Sequence, residues 1–174
     1  MFEHIKGLPP ELAVLFVAAL PIFELRGAIP LGIIYYELPF WKTLILAILG
    51  NILPVPFLLL LLRPVSILTS RWRISKSIFE LLYKTARKKG VSVSRLKLLG
   101  LYLFVALPVP GTGAWMGSLV AEVFNIPFLP AFLSILLGVI TAGFVVALVS
   151  KLGIIAVVVF FVILFIISYF LSRE

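Results

Sequence analysis

The chain has 174 residues, of which 63% are hydrophobic, and it carries a formal net charge of +8, with a mean hydropathy of +1.24. A soluble domain of this length could not bury so much apolar side chain, because ordinary domains are about 45–50% apolar, so lipid must solvate much of the surface. The absence of cysteine excludes disulfides and thiolate chemistry, and a single histidine, His4, cannot build a zinc site or a histidine relay. We therefore predict neither a metal site nor a cofactor.

Two short apolar pieces, 12–20 and 28–36, open the chain, and a polar break separates them. Each piece has about half of the ~20 residues that a spanning helix needs. The break carries Glu24 and Arg26, and Pro21 and Pro30 bracket it as predicted helix breaks. The pattern predicts either a re-entrant helical hairpin over 11–38 or one long, kinked spanning helix, and we favour the hairpin.

A full-length apolar span at 40–62 follows, with Asn51 inside it. Asn51 either bonds to a neighbouring helix or lines a substrate cavity. The next segment, 63–97, holds ten of the fifteen basic residues and has apolar residues at helical spacing, which predicts an amphipathic helix on the membrane surface. Because short basic loops stay in the cytoplasm, we expect this segment to contact anionic inner-leaflet lipid. The same concentration of charge between hydrophobic blocks argues against a nucleic-acid partner.

The second half of the chain repeats this plan. Short apolar pieces at 98–107 and 114–124 flank a break with Pro108 and Pro110, which predicts a second hairpin over 98–126. A span at 128–149 and a final span at 153–171 complete the chain. Matching residues recur at a spacing of 87 to 88, as in Ala19-Leu20-Pro21 and Ala106-Leu107-Pro108.

The predicted fold class is an all-α integral membrane protein, a single membrane domain over 1–174. Two copies of a re-entrant helical hairpin plus a transmembrane helix, 11–62 and 98–150, form an inverted repeat, and an extra C-terminal transmembrane helix follows. The second copy is inverted because a hairpin returns to its own side and the span then changes sides, as in several transporter architectures. With 63–97 in the cytoplasm, we predict a multi-pass protein of the inner (plasma) membrane with a cytoplasmic C-terminus.

Hairpins that enter from opposite faces would bring their tips together near the midplane. The second arm of each begins with unpaired N–H groups and a partial positive charge, which favour an anion. Glycines there allow close backbone approach, and Arg26 adds a permanent cation. The predicted substrate-binding residues are Arg26, Gly27, Gly111, Thr112, Gly113 and Trp115.

Several roles stay open at this point. Glu24 either exchanges a coupling proton or pairs permanently with Arg26, which needs a non-helical backbone because residues two apart on a helix do not face each other. Thr112 either donates to a ligand oxygen or caps the following arm. Trp115 either walls the site or packs, and Glu122 is expected near the cytoplasmic surface.

The segments from Phe23 to Pro30 and from Pro108 to Trp115 resemble the two signature segments of the small multidrug export family, which is similar in plan to the DedA and VTT-domain membrane proteins. The resemblance covers nearly the whole chain. It implies two facing re-entrant loops and proton-dependent transport, and DedA relatives are associated with undecaprenyl phosphate recycling. DedA proteins carry arginines around the second motif, where this chain has only Thr112 between glycines.

We therefore expect a proton-coupled transporter or flippase of an anionic amphipathic or lipid-linked substrate such as undecaprenyl phosphate. Its partners would be membrane lipid and the small-molecule or lipid substrate, and a homodimer would supply further walls for the site. The alternatives are an exporter of small cationic drugs, with Glu24 as the cation partner, and a non-transporting protein that organises lipid. We do not expect an enzyme, because no pair of nucleophile and base is evident.

Overall fold

The computed structural model describes residues 8–61, 97–109 and 112–171, with side chains to Ile166 in the last helix. Most of the predicted basic segment 63–97, together with Pro110 and Gly111 of the second break, lies outside the described residues. All regular structure in the described ranges is helical, which confirms the all-helical prediction. By their internal contacts the described residues form two compact units: 8–53, 108–109 and 139–171 make the first, and 54–61, 97–107 and 112–138 make the second.

The first unit begins with a helical hairpin. Helix α1 spans Pro10–Ala19 and helix α2 spans Glu24–Pro30, which continues directly into a π-helix over Leu31–Tyr35. The second arm folds back along α1, since a Cβ built on Gly32 would lie 3.1 Å from Val14 Cγ2. At 1.5 Å per residue, neither arm reaches the ~30 Å of a bilayer core.

Helix α3 spans Phe40–Ile52 and packs on this hairpin. Lys42 Nζ donates a 2.6 Å hydrogen bond to Glu11 Oε1 at one end, and Gly50 meets the Leu15 carbonyl and Ala18 further along. Helices α1 and α3 therefore run parallel. The Lys42 hydrogen bond also holds the pKa of the exposed Glu11 carboxyl below its usual range.

The second unit contains a hairpin of the same kind. Helix α4 spans Lys97–Ala106 and helix α5 spans Ala114–Val123. A Cβ on Gly117, near the start of α5, would lie 2.6 Å from Val105 Cγ2, near the end of α4, so the arms are antiparallel. Helix α6, Phe128–Ser150, packs on this hairpin through its first half, where Gly138 meets Val105 and the Tyr102 carbonyl.

Two helical runs are long and apolar enough to cross a membrane, Phe40–Leu61 and Phe128–Ser150, counting only the described residues. The first consists of α3 and a further helical piece at 55–61, with a turn at Leu53 and Pro54 between them. Helix α7, Ile154–Leu171, contains no charged residue, and most of its described large side chains are exposed. Such continuous exposed apolar surface suits lipid rather than water, and the protein is a membrane protein.

Buried positions recur at constant spacing in the two hairpins and the two spans. In α1 the buried residues are 13, 14, 17 and 18, and in α4 they are 100, 101, 104 and 105, each 87 positions later. Buried positions 43, 47, 50, 51, 55 and 59 of the first span correspond to buried positions 131, 135, 138, 139, 143 and 147 of α6, each 88 later. The two halves of the sequence thus bury the same faces.

The start of α3 lies beside the end of α6 within the first unit. The rings of Phe40 and Phe144 are 6.1 Å apart, and Lys151 Nζ lies 4.7 Å from the centroid of the Phe40 ring. Gly143 also faces Leu44. Helix α3 and the second half of α6 are therefore antiparallel.

Candidate functional site

The first hairpin turns at residues 20–23, and the turn ends in a strained residue. Helix α1 ends at Ala19, and the extended backbone of Leu20 stops the helix just before Pro21. Three turn residues follow, and Glu24 begins α2 with φ 47°. A left-handed backbone costs a residue with a Cβ roughly 1–2 kcal/mol. Such strain persists where the surroundings hold it, and it is most frequent at functional sites.

Glu24 and Arg26 form a buried ion pair at this turn. Arg26 Nη1 lies 3.6 Å from Glu24 Oε2, and the side chains are 13% and 5% exposed. The left-handed Glu24 departs from helix geometry, so side chains two positions apart are able to meet. Both charges are held away from water, where an ion that loses its partner costs several kcal/mol.

Asn51 is the third buried polar side chain of the first unit near this turn. The residue is fully buried, and neither Oδ1 nor Nδ2 has a hydrogen-bond partner in the described part of the chain. Its neighbour Gly50 contacts Ala18, close to the end of α1. The parallel packing of α1 and α3 therefore brings Asn51 to the level of the break.

The second break has a different local chemistry. Helix α4 ends at Ala106, and the Thr112 hydroxyl donates a 2.7 Å hydrogen bond to the Leu107 carbonyl. Thr112 thus gives a hydrogen bond to a backbone carbonyl at the end of the preceding arm. From the sequence we expected its hydroxyl either to donate to a ligand or to cap the following arm. Gly113, with φ 116° and ψ −170°, precedes α5 in a conformation that essentially only glycine adopts.

Four further predicted residues lie on the second arms of the two hairpins. The space beside Gly27 is filled by Phe23, whose Cβ would be 3.0 Å from an added Cβ. Pro30, predicted as a helix break, lies inside a continuous arm where the α-helix changes to a π-helix. Trp115 and Glu122 are half-buried on α5 and have contacts of their own. Gly111 and Pro110 lie outside the described residues.

Two features of the first unit could not be anticipated from residue types. Thr43 is a buried residue of α3, beside Gly32, and its Oγ1 has no hydrogen-bond partner in the described ranges. The left-handed backbone of Glu24 has no sequence signal, because glycine rather than glutamate marks such positions. The two charged residues, Glu24 and Arg26, located the break but not its geometry.

The family model described as putative small multi-drug export protein matches residues 24–145. The chain belongs to this family. The match begins at Glu24 and includes the Glu24–Arg26 pair, Asn51 and the second break. The family's description indicates a transporter of the membrane that acts on small molecules, and family membership confirms the resemblance seen in the sequence. No curated protein and no solved structure matches the chain.

Proposed function

We propose that this export-family protein is a proton-coupled transporter whose substrate carries an anionic group that binds Arg26. The buried Glu24–Arg26 pair at a helix break is the observation that carries the proposal. Charged side chains at membrane depth are costly and typically mark a substrate or proton path. Arginine presents a planar set of donors that suits phosphate and carboxylate.

The pair supplies a coupling mechanism by charge balance. With Glu24 ionised, its carboxylate neutralises Arg26 and the site is closed to another anion. Once Glu24 takes a proton, its carboxyl no longer neutralises the guanidinium of Arg26, and the negative charge of an anionic substrate would take its place. Both the empty, unprotonated site and the loaded, protonated site are then neutral, so a proton and the anion would cross together.

The substrate we favour is amphipathic or lipid-linked, such as a polyprenyl phosphate. Two observations support a lipid-like substrate: the described helices expose apolar side chains along most of their length, and the hairpin arms are too short to span a bilayer. A short arm ends within the membrane and presents its tip at the depth where a lipid headgroup would have to pass.

We also propose that the two halves form an inverted repeat of re-entrant hairpins. The constant spacing of the buried positions and the antiparallel contact of α3 with α6 support this arrangement. Participation of Thr112, Gly113 and Trp115 in the same site stays a prediction from the sequence, as do the relationship to DedA proteins, the homodimer and the cytoplasmic side of 63–97.

A second candidate is export of small cationic drugs, which the family's description favours. Glu24 would then bind the cation, and Arg26 would have to move away or be neutralised. Because Arg26 is a permanent cation within 3.6 Å of that carboxylate, this function requires the pair to separate without a compensating anion. A protein that only organises lipid is the third reading.

The experiment is translocation of a polyprenyl phosphate headgroup in proteoliposomes with an imposed pH gradient. Wild type is compared with Arg26→Ala and Glu24→Gln, and Lys42→Met serves as the control because it breaks an exposed ion pair away from the turn. We expect Arg26→Ala to abolish translocation, Glu24→Gln to remove its dependence on the gradient, and the control to resemble wild type.

No translocation by folded wild type would exclude the polyprenyl phosphate substrate. Uptake of a cationic dye that Glu24→Gln alone abolishes would instead favour the drug exporter. Unchanged activity in both break variants would leave the pair a structural feature and favour the organising role.

A further inference from the structure

Among the described residues, the side chain of Asn51 has a donor and an acceptor without hydrogen-bond partners inside the first unit. Its side chain is 0% exposed, and its Oδ1 and Nδ2 lack hydrogen-bond partners in the part of the chain that the structure describes. A buried polar group without a partner costs about 1–3 kcal/mol. A group that both accepts from the amide nitrogen and donates to the amide oxygen would remove that cost.

Two helix registers place Asn51 level with the ion pair. Ala18, which lies one turn before the break, contacts Gly50. Gly50 directly precedes Asn51. Along the second arm, Gly32 meets Thr43. Helix α2 and the π-helix that continues it are antiparallel to α3. About 10 Å from the Gly32–Thr43 contact, the second arm has therefore reached Leu25 and α3 has reached Gly50.

The backbone on either side of Asn51 adds further acceptors. Pro54 and Pro56 have no N–H, so the carbonyls of Gly50 and Ile52 cannot receive the usual hydrogen bond from four residues ahead. The helix is interrupted here by the turn at Leu53 and Pro54. The backbone beside Asn51 therefore offers carbonyl acceptors in addition to Asn51 Oδ1, to which an occupant that carries an O–H group can donate.

We propose that Asn51 is the second substrate-contacting residue of the Arg26 site and that the site takes a phosphate monoester in its singly protonated form. The inference rests on the proposed function and narrows its substrate class. One negative charge balances Arg26 once Glu24 is protonated, whereas a dianion would leave an uncompensated charge. The P–OH donates to Asn51 Oδ1, and a non-bridging oxygen accepts from Nδ2.

This chemistry separates a phosphate monoester from other anions of the same charge. A phosphodiester and a carboxylate each carry one negative charge but have no O–H to donate to Oδ1. Inorganic phosphate and a lipid phosphate share the protonated group, so they are distinguished by the apolar chain. The second pKa of a phosphate monoester is about 6, so the binding form becomes more abundant as the pH falls toward 6.

The test measures binding to the full-length protein in nanodiscs, with three probes: inorganic phosphate, dodecyl phosphate, and the methyl dodecyl phosphodiester. The variant is Asn51→Leu, which keeps a similar volume. Thr43→Val is the matched control. It also removes a buried polar group that has no hydrogen-bond partner among the described residues, and it lies on the hairpin-facing side of α3 about two turns away.

We expect wild type and Thr43→Val to bind dodecyl phosphate at least about tenfold more tightly than the diester, since a hydrogen bond to a charged group is of this size. Asn51→Leu should lose that preference while it unfolds at the same or a higher temperature. Binding of inorganic phosphate as tight as that of dodecyl phosphate would assign the site to free phosphate rather than lipid.

Equal binding of monoester and diester by wild type, with both lost in Arg26→Ala, would overturn this inference and leave the anion site intact. A lower unfolding temperature in Asn51→Leu with the monoester preference retained would make Asn51 structural and would also overturn it. Absence of binding of every phosphate probe to folded wild type would overturn the inference and the polyprenyl phosphate substrate together.

Discussion

Arg26 Nη1 lies 3.6 Å from Glu24 Oε2, although the two residues are only two positions apart. On a regular helix such neighbours point to different sides. The pair forms because Glu24 adopts φ 47° at the start of α2. The strained backbone of Glu24 therefore permits a buried ion pair that regular helix geometry would prevent. We expect the left-handed backbone and the ion pair to be lost together.

The first prediction concerns the stability of this pair. Glu24→Gln or Arg26→Gln alone leaves one buried charge without its counterion, so each should lower the free energy of unfolding by about 3–5 kcal/mol. The double variant Glu24→Gln/Arg26→Gln should be much closer to wild type than the sum of the single losses. Unfolding of the four proteins in one detergent, followed by helical circular dichroism, measures the coupling.

Transport by the same four proteins separates structure from function. The double variant should be folded but inactive, because it has neither the anion-binding cation nor the titratable carboxylate. Strictly additive stability losses would mean that the two charges do not interact, and an active double variant would remove both from the transport mechanism.

The second prediction concerns close helix packing at equivalent glycines. A Cβ on Gly50 would overlap the Leu15 carbonyl, and a Cβ on Gly138 would lie 2.7 Å from Val105 Cβ and 3.0 Å from the Tyr102 carbonyl. Backbone atoms cannot move aside as flexible side chains do, so Gly50→Ala and Gly138→Ala should each destabilise the protein by about 1–3 kcal/mol.

Gly143→Ala is the control for these two variants. The nearest atom there is Leu44 Cδ1 at 3.2 Å, the end of a flexible side chain. Because alanine is about 1 kcal/mol better than glycine within a helix, the control should be neutral or stabilising. A Gly50→Ala protein as stable as wild type in thermal unfolding would show that the parallel α1–α3 contact is not tight.

Much of the helical plan could be predicted from the sequence, because apolar runs bounded by proline leave few alternatives in lipid. The ends of α1 and α4 precede Pro21 and Pro108, since a helix tends to end before a proline. The spans at 40–61 and 128–150 follow from length and hydropathy. The position of the Glu24–Arg26 break follows from two charges in an otherwise apolar segment.

The geometry of the site could not be predicted in the same way. Sequence left open whether Glu24 and Arg26 pair, because the answer depends on one backbone torsion. Asn51 has no hydrogen-bond partner among the described residues because of which side chains of other helices reach it, and Pro30 continues the arm through a π-helix rather than ending it. These are consequences of packing between segments distant in the chain.

The third prediction uses two exposed residues with left-handed backbones, Glu37 with φ 53° and Asn125 with φ 50°. They lie 88 positions apart, each before the proline that precedes a span. Asparagine tolerates this conformation better than glutamate does. Glu37→Asn should therefore raise the free energy of unfolding by up to about 1 kcal/mol, and Asn125→Glu should lower it by a similar amount.

Chemical denaturation of the single variants measures both changes, and the protein that carries both substitutions should unfold close to wild type. The two substitutions exchange glutamate and asparagine between two exposed positions, so a shared dependence on backbone torsion predicts effects of opposite sign. Effects of the same sign would contradict that explanation.

The fourth prediction concerns membrane orientation and uses the absence of native cysteine. Lys151 lies over the Phe40 ring, so the start of the first span and the end of α6 share one end of the first unit. Single Lys42→Cys and Lys151→Cys variants should react from the same side with a membrane-impermeant maleimide. We expect that side to be external, and Lys97→Cys to react only from the cytoplasm, as the basic segment beside it predicts.

Labelling of positions 42 and 151 from opposite sides would contradict the antiparallel packing of the two spans. Labelling of both from the cytoplasm would keep that packing but reverse the orientation, and the first hairpin would then enter from the cytoplasmic face.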